Sequence, residues 1–522
     1  MGADNDAVRR IHVIYKKVLR LGVVVLLEAY WLWILFMHVV WDLPYQKVMQ
    51  TGAKCLAAAA AVYLIFSAFT VRDFRSKALD KIKRMLSPEW VILLMLLVWY
   101  VLVCLIRERM DGMIYLKYNN NRIFLMMLAI LLMFPFMDIM GSRRGRRYMH
   151  WMMHILTLFF STFSAWALWK YIHLEFVTFP SGNKLENYNK IVSMMIGNNR
   201  NTTGASACFM LCICLYMFMT QNRKVGIAYI PSAIVNFMVL ILTNSRSSYV
   251  SFLGMTMITV FVLGYKSQKQ NDMRTRAAFG GVLATVYLSI VHYLRVAILT
   301  KYRYIPKGKM PKAMLDTVLS RNVAVARAAD MAVSAGRAAS SLPGRAASFV
   351  ADRGGFIGKL SLAILTDKPD WNLRNFTSLN RRPEIWISSF KLMFSAPDKF
   401  FLGVTPVYVM KGLIEQGGLT RDMPDAHNGI LQVGVCLGVP AMLLFIAFLV
   451  MIVRRCIRLF GANWSENYKN IWVICSVILG IMIMDVAEVR LFAIYRAVLL
   501  LFYLFAGWAV YLDKKRVQRQ AK

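Results

Sequence analysis

Apolar positions in this chain do not recur one per helical turn or alternate as in a half-buried strand. They come in long, nearly uninterrupted blocks separated by short polar stretches. A block of about 20 mostly apolar residues is the length that crosses a bilayer as an α-helix. Twelve blocks meet that description: Leu21–Trp41, Cys55–Val71, Trp90–Ile106, Ile123–Met140, Trp151–Tyr171, Gly204–Thr220, Val225–Leu242, Tyr249–Tyr265, Ala277–Leu299, Gly429–Val453, Ile471–Val486 and Ala493–Leu512. The first is too long for a cleavable signal and no small-residue cleavage site follows it. The pattern predicts an all-α fold, a polytopic membrane bundle of about 12 transmembrane helices.

One polar stretch breaks the rhythm. Residues 301–426 separate the ninth and tenth blocks, and a structureless loop of that length is uncommon. The stretch is therefore expected to be a helical extracytoplasmic domain, set between a membrane part at 1–300 and a second at 427–522. Within it Asn322–Ala351 is Ala-rich, carries Arg327, Arg337 and Arg345, and reads as short helices broken at Gly336 and at Pro343-Gly344. Arg374, Arg381 and Arg382 precede a further helical run, Glu384–Met393. A second outer loop, Ile172–Thr203, is polar and Asn-rich.

Composition narrows the class. Of 522 residues, 58% are hydrophobic and 17% charged, with a net charge of +36. A soluble domain carries about 25% charge, a disordered basic tail lacks the apolar content, and a nucleic-acid binder this basic is not this apolar. The expected partners are membrane lipids, with no nucleic acid. With the N-terminus inside, the inner segments hold 30 basic residues and the short outer loops 12. The positive-inside rule then places both termini in the cytoplasm, in the cytoplasmic membrane. Arg143, Arg144, Arg146 and Arg147 are the densest inner cluster, read as orientation and lipid contact. The eight cysteines lie in or beside apolar blocks, without a disulfide framework or zinc spacing.

Soluble-enzyme motifs for nucleotides and zinc are absent from the sequence. Asp4-Asn5-Asp6 is the sole D-x-D and falls in a solvated tail, so no metal site or cofactor is expected. Chemistry is sought among basic groups at outer span ends. Arg246 lies in Thr243-Asn-Ser-Arg-Ser-Ser248, a tight turn between two spans. It is either a snorkelling interfacial arginine or an anion ligand at the membrane surface. Arg382, in Arg381-Arg-Pro-Glu-Ile-Trp386, opens a helix whose first turn suits Pro383 and Glu384. It is either a solvated loop residue or a second anion ligand, with Arg381 as its backup. His427, in Pro424-Asp-Ala-His-Asn428, opens the tenth span. It is either structural or a general base near neutral pH. His173 and His292 are weaker candidates near the same face. Two arginines present planar forks to a diphosphate, and His427 takes the proton of an acceptor hydroxyl.

These residues resemble a known family. His427-Asn428, nine residues, Gly438, two residues and Ala441 are similar to the H-[NSQ]-x9-G-x-x-[GTV] signature of the O-antigen ligase and O-antigen polymerase superfamily, with Ala441 departing from the last position. Thr243-Asn-Ser-Arg246 resembles its T-x-S-R turn, and Arg382-x3-Trp386 with Pro397 and Gly403 resembles the segment in the second half of its outer loop. The stretch Gly197–Asn201 departs from the family's pattern. The resemblance implies a membrane-embedded inverting glycosyltransferase whose donor is a glycan on undecaprenyl diphosphate. The acceptor it implies is a glycan, a lipid or a wall polymer. Arg246, Arg381, Arg382 and Asn428 would bind substrate, with His427, Arg382 and Arg246 catalytic.

Two other classes stay open. A lipid-linked glycan flippase or other transporter would depend on charges within spans, of which Glu28, Asp138, Arg295, Asp485 and Arg496 are the candidates. Neither repeats nor paired broken spans in the two halves support it. A peptidoglycan-elongating transferase would require an essential outer Asp, which Asp425 supplies only loosely.

Overall fold

The structure, a computed structural model, describes residues 2–37, 51–62, 87–115, 143–173, 200–221, 223–243, 245–268, 272–302, 382–416, 425–461, 469–489, 491–492 and 497–520, with positions 117, 119, 122, 123, 126–128 and 130. The Ala-rich run of the outer loop, Arg327, Arg337, Arg345, Arg374, Arg381, Asp138, Arg496 and most of the Asn-rich loop lie outside the described residues, as do most of the block Ile123–Met140 and the side chain of His173.

Every described element is helical. In chain order they are α1 (Gly2–Met37), α2 (Thr51–Val62), α3 (Pro88–Asp111), α4 (Arg143–His173), α5 (Arg200–Thr220), α6 (Arg223–Ile227), α7 (Ile230–Thr243), α8 (Arg246–Ser267), α9 (Met273–Tyr302), α10 (Arg382–Met393), α11 (Pro397–Leu402), α12 (Thr405–Glu415), α13 (Gly429–Gly461), α14 (Lys469–Ala487) and α15 (Ala497–Gln520). Among the described residues six helical stretches are long and apolar enough to cross a membrane: α3, 203–220 in α5, 224–243 across α6 and α7, α8, 273–295 in α9, and α13. They coincide with six of the twelve predicted blocks. The other six fall on α1, α2, α4, α14 and α15 and on the stretch 123–140.

The core gathers on α5, α13, α14 and α15, where Phe209, Tyr216, Phe445, Phe448, Phe502 and Phe505 are fully buried. A helix buried on all sides is apolar all round, and α15 is so from Val498 to Val510. The outer helix α3 is apolar on both faces yet buries only one. Leu93, Leu96, Tyr100 and Cys104 face the bundle, while Val91, Leu94, Val98, Leu102 and Leu105 are exposed at the same helical spacing. In a bilayer the exposed stripe meets acyl chains at no cost. Pro88 opens α3 after Ser87, and Gly112 closes it at φ +69° with its N–H on the Glu108 carbonyl.

Antiparallel packing collects one set of helix ends. Lys266 lies over the Trp472 ring at 5.7 Å, and Ser251 Oγ donates to the Gly480 carbonyl at 2.6 Å, so α8 and α14 run in opposite directions. Arg295 of α9 stands over the Tyr249 ring at 4.8 Å, level with the start of α8. A Cβ at Gly429 would meet the Asp485 carboxylate at 1.8 Å, so α13 starts where α14 ends. The starts of α8 and α13 and the ends of α9 and α14 therefore share one end of the bundle. At the opposite end Arg455 of α13 pairs with Glu89 of α3 at 2.7 Å and Asp513 of α15 at 2.6 Å.

Helix α13 is broken inside its span. Gly438 has φ +85° and Pro440 follows. The turn around α11 fills the break: a Cβ at Gly438 would lie 2.1 Å from the Phe401 carbonyl oxygen, and Val404 N–H donates to the Val435 carbonyl at 2.8 Å. Gly403, at φ +65°, leaves no room for a side chain against Cys436 and Leu437. Arg107 donates to the Gly403 carbonyl and pairs with Asp398 at 2.8 Å. The break lies level with the middle of α3, because Trp99 Nε1 donates to the Leu437 carbonyl at 2.9 Å. Irregular backbone at membrane depth survives only where protein supplies its hydrogen-bond partners. Here Arg107, Val435 and Trp99 supply them, and α11 packs into the break of α13.

Candidate functional site

The turn that presents Arg246 is built from small hydroxyl residues. Thr243 Oγ1 donates to the Leu240 carbonyl at 2.8 Å, and the Ser245 and Ser248 hydroxyls pair at 2.9 Å. Both serines and Thr243 are buried. The start of α5 packs so closely that a Cβ at Gly204 would strike Ser245 at 2.4 Å. Polar side chains that satisfy one another locally hold this turn rigid, and Arg246, the first residue of α8, is half-buried at its tip.

His427 sits on a second constrained turn. It has φ +48°, a left-handed conformation rare outside glycine and asparagine. Asp425 Oδ1 accepts the His427 N–H at 2.8 Å, and Gln432 Oε1 accepts the Ala426 N–H at 2.8 Å. Asn428 Oδ1 accepts the N–H groups of Ile430 and Leu431, each at 3.0 Å, which is the N-cap of α13. Its Nδ2 donates to the Val486 carbonyl at 3.0 Å and ties the cap to α14. Both ends of the Asn428 amide are thus engaged within the protein.

Arg382 begins α10, as its sequence predicts, and Nη2 donates to Glu488 Oε1 at 2.6 Å. The other oxygen of Glu488 lies 3.6 Å from His427 Nδ1, and Asp425 Oδ1 lies 3.5 Å from the same nitrogen. One carboxylate is therefore shared between an arginine and a histidine, and His427 Nδ1 is buried without a hydrogen bond. Burial works against charge on this imidazole, but Glu488 and Asp425 outweigh it and Arg382 pulls back only in part. The net effect is a pKa above the ordinary 6.5.

The structure thus joins Arg382 to His427 through Glu488 and sets Arg246 at the same bundle end. Arg381 lies outside the described residues. Of the charges that a transporter would use, Asp485 and Arg295 are also at this end. Asp485 is buried beneath the start of α13, where Gly429 leaves room for it, and accepts the Leu491 N–H at 2.8 Å. His292 is buried in α9. Among the described residues no three His, Cys, Asp or Glu side chains are grouped as a metal site.

Glu488 is missing from the residues that sequence reasoning selects. Its signal is Asp485-Val-Ala-Glu488-Val-Arg490, a dense charge cluster in a short turn between two apolar blocks. Charge so close to lipid is costly and needs a partner.

A comparison with curated proteins gives no match. Residues 231–446 match the family model of the O-Antigen ligase, a stretch that contains Arg246, Arg382, His427 and the break at Gly438. That family indicates a membrane glycosyltransferase of ligase or polymerase type acting on a lipid-linked glycan and an acceptor. The signature around His427 and the match across these helices agree: residues 231–446 of this chain are similar to the O-Antigen ligase family.

Proposed function

We propose that the protein transfers a glycan from undecaprenyl diphosphate to an acceptor hydroxyl at the outer face of the cytoplasmic membrane, with inversion and without a metal ion. The observation that carries this reading is the cluster in which Glu488 is shared by Arg382 and His427. The basic-residue bias puts that bundle end outside, where a flipped lipid-linked donor presents its diphosphate at the membrane boundary.

Before the donor binds, Glu488 balances Arg382. The donor diphosphate displaces it, because phosphate oxygens offer the guanidinium a bidentate partner. Arg246 takes the other side of the diphosphate. The acceptor oxygen attacks the anomeric carbon from the face opposite the leaving group. The bond from that carbon to the diphosphate oxygen breaks, and its electron pair leaves with undecaprenyl diphosphate. The two arginines stabilise the charge that develops there. The acceptor proton passes to His427, and Glu488, released from Arg382, stabilises the imidazolium with Asp425. Asn428 acts as a positioning residue that fixes the start of α13.

The test uses purified protein in liposomes with an undecaprenyl-diphosphate oligosaccharide, EDTA present and nucleotide absent. A ladder of longer lipid-linked glycans identifies a polymerase. Transfer only after addition of a lipid, protein or wall acceptor identifies a ligase. Inertness with every acceptor, or transfer at the wild-type rate by His427→Ala, overturns the assignment.

A further inference from the structure

A second cleft lies between the end of α3 and the helices α10–α12, away from the Arg382–Glu488–His427 cluster. It encloses about 150 Å³. By liquid volume that is about five waters, the scale of one sugar ring. Leu392 lines it, ten residues along α10 from Arg382 and therefore about 15 Å away.

The lining mixes signs in an unusual way. Arg107 is buried, with its charge anchored on Asp398 at 2.8 Å, yet its Nε has no hydrogen-bond partner. Lys399 reaches the same cleft and has no ion-pair partner among the described residues. Lys411, on the next helix, lies 4.0 Å from Glu415 in a well-exposed pair. Asp111 accepts the Tyr115 hydroxyl at 2.6 Å. Burial and that bond push the Tyr115 hydroxyl up, so it stays a donor. Tyr115 and Tyr408 meet edge to face at 5.4 Å.

We infer that this cleft is a carbohydrate subsite that takes an acidic sugar of the glycan, several residues away from the bond that reacts. The assignment rests on the glycosyltransferase reading above. Lys399 and Lys411 face the sugar carboxylate, Asp111 and Glu415 accept its hydroxyls, and the Tyr408 ring offers an apolar face. A phospholipid phosphate diester fits less well, because it carries no hydroxyl of its own for the two carboxylates to accept.

The experiment measures binding without turnover. Full-length protein in zwitterionic nanodiscs is titrated with a short oligogalacturonate and with a neutral gluco-oligosaccharide of equal length. The uronate is expected to bind and the neutral sugar to bind at least about tenfold more weakly, the worth of a charge-assisted contact. Lys399→Ala with Lys411→Ala is expected to weaken the uronate at least about tenfold, Tyr408→Ala to weaken both sugars, and the Lys→Arg pair to restore binding. Equal binding of both sugars, no binding, or wild-type binding by the Lys→Ala pair overturns the subsite. Loss of uronate binding in nanodiscs rich in phosphatidylglycerol would mean that a lipid headgroup holds the cleft, and would overturn it too. Uronate binding by a protein that transfers no glycan would leave the cleft standing and remove the glycosyltransferase reading. Transfer without uronate binding would do the reverse.

Discussion

Helix α13 carries a charge cluster at each end, and the two are finished differently. At one end Arg455 meets two carboxylates, at 2.7 and 2.6 Å, and Asp513 also takes Arg516 at 3.2 Å and Arg458 at 3.8 Å. Glu89 and Asp513 are essentially inaccessible. At the other end a single carboxylate is divided between Arg382 and His427, and the histidine contacts stop at 3.5 and 3.6 Å. The residue in the middle has a left-handed backbone. A buried arginine held by two carboxylates at hydrogen-bond distance fixes neighbouring helices and resists change. A histidine whose carboxylates stand beyond that distance keeps a proton acceptor in reserve, and strained backbone tends to collect at such places. The first end ties α3, α13 and α15 together, and the second is where a substrate has something to displace.

The contrast is broken most sharply by truncation at the His427 end. Arg382→Ala and His427→Ala are each expected to lower glycan transfer by about 10²–10⁴-fold; the thermal unfolding curve in detergent is nearly unmoved by His427→Ala and lowered by Arg382→Ala, which strips buried Glu488 of its arginine. A large loss of stability in both would make that end structural as well. At the Arg455 end the expectation reverses. Asp513→Ala leaves Arg455 and Arg516 with an uncompensated site and is expected to cost about 3–5 kcal/mol of stability, read as denaturant unfolding, while the rate per folded molecule holds.

Glu488→Gln sharpens the comparison. Transfer is expected to fall about ten- to a hundredfold, because the imidazolium loses its counter-charge. The pH profile carries a second sign. Rate that depends on neutral His427 rises with pH through a midpoint above 6.5 in the wild type. Removing the Glu488 charge takes away a cause of that elevation, so the midpoint moves to lower pH. A midpoint that stays or rises would detach Glu488 from His427. The smallest effect is expected at Asn428→Ala. The lost cap costs about 1 kcal/mol, and the rate falls while the donor KM is unchanged. A raised donor KM would instead make Asn428 a substrate contact.

What the sequence reveals follows from what is local. The helical class is legible because apolar blocks of spanning length have few alternatives in lipid. Arg246, Arg382 and His427 are legible because each opens a helix, where turn chemistry and charge are read over a few residues. Glu488 is not, since it meets His427 only through the packing of α13 on α14. The buried face of α3 is illegible for a different reason: both its faces are apolar, so periodicity carries no signal. The turn at 397–404 opens on Pro397 like an ordinary helix start, and only its hydrogen bonds to α13 and α3 reveal where it seats. The sequence offers Asn428 as a substrate ligand, and its part in capping α13 emerges only from the hydrogen bonds of its amide.

The turn at 397–404 also constrains biogenesis. The Val404 N–H finds its acceptor on Val435, which is synthesised later, while the Gly403 carbonyl is met by Arg107 from a helix made much earlier. During synthesis α11 therefore emerges before its seat exists. It can dock only once α13 is made, and Glu488 arrives later still. A ribosome stalled between Gly403 and Val435 would leave a nascent chain with the helices up to α9 made and α13 to α15 missing, its site unformed, a stage that protease accessibility around Phe401 would detect.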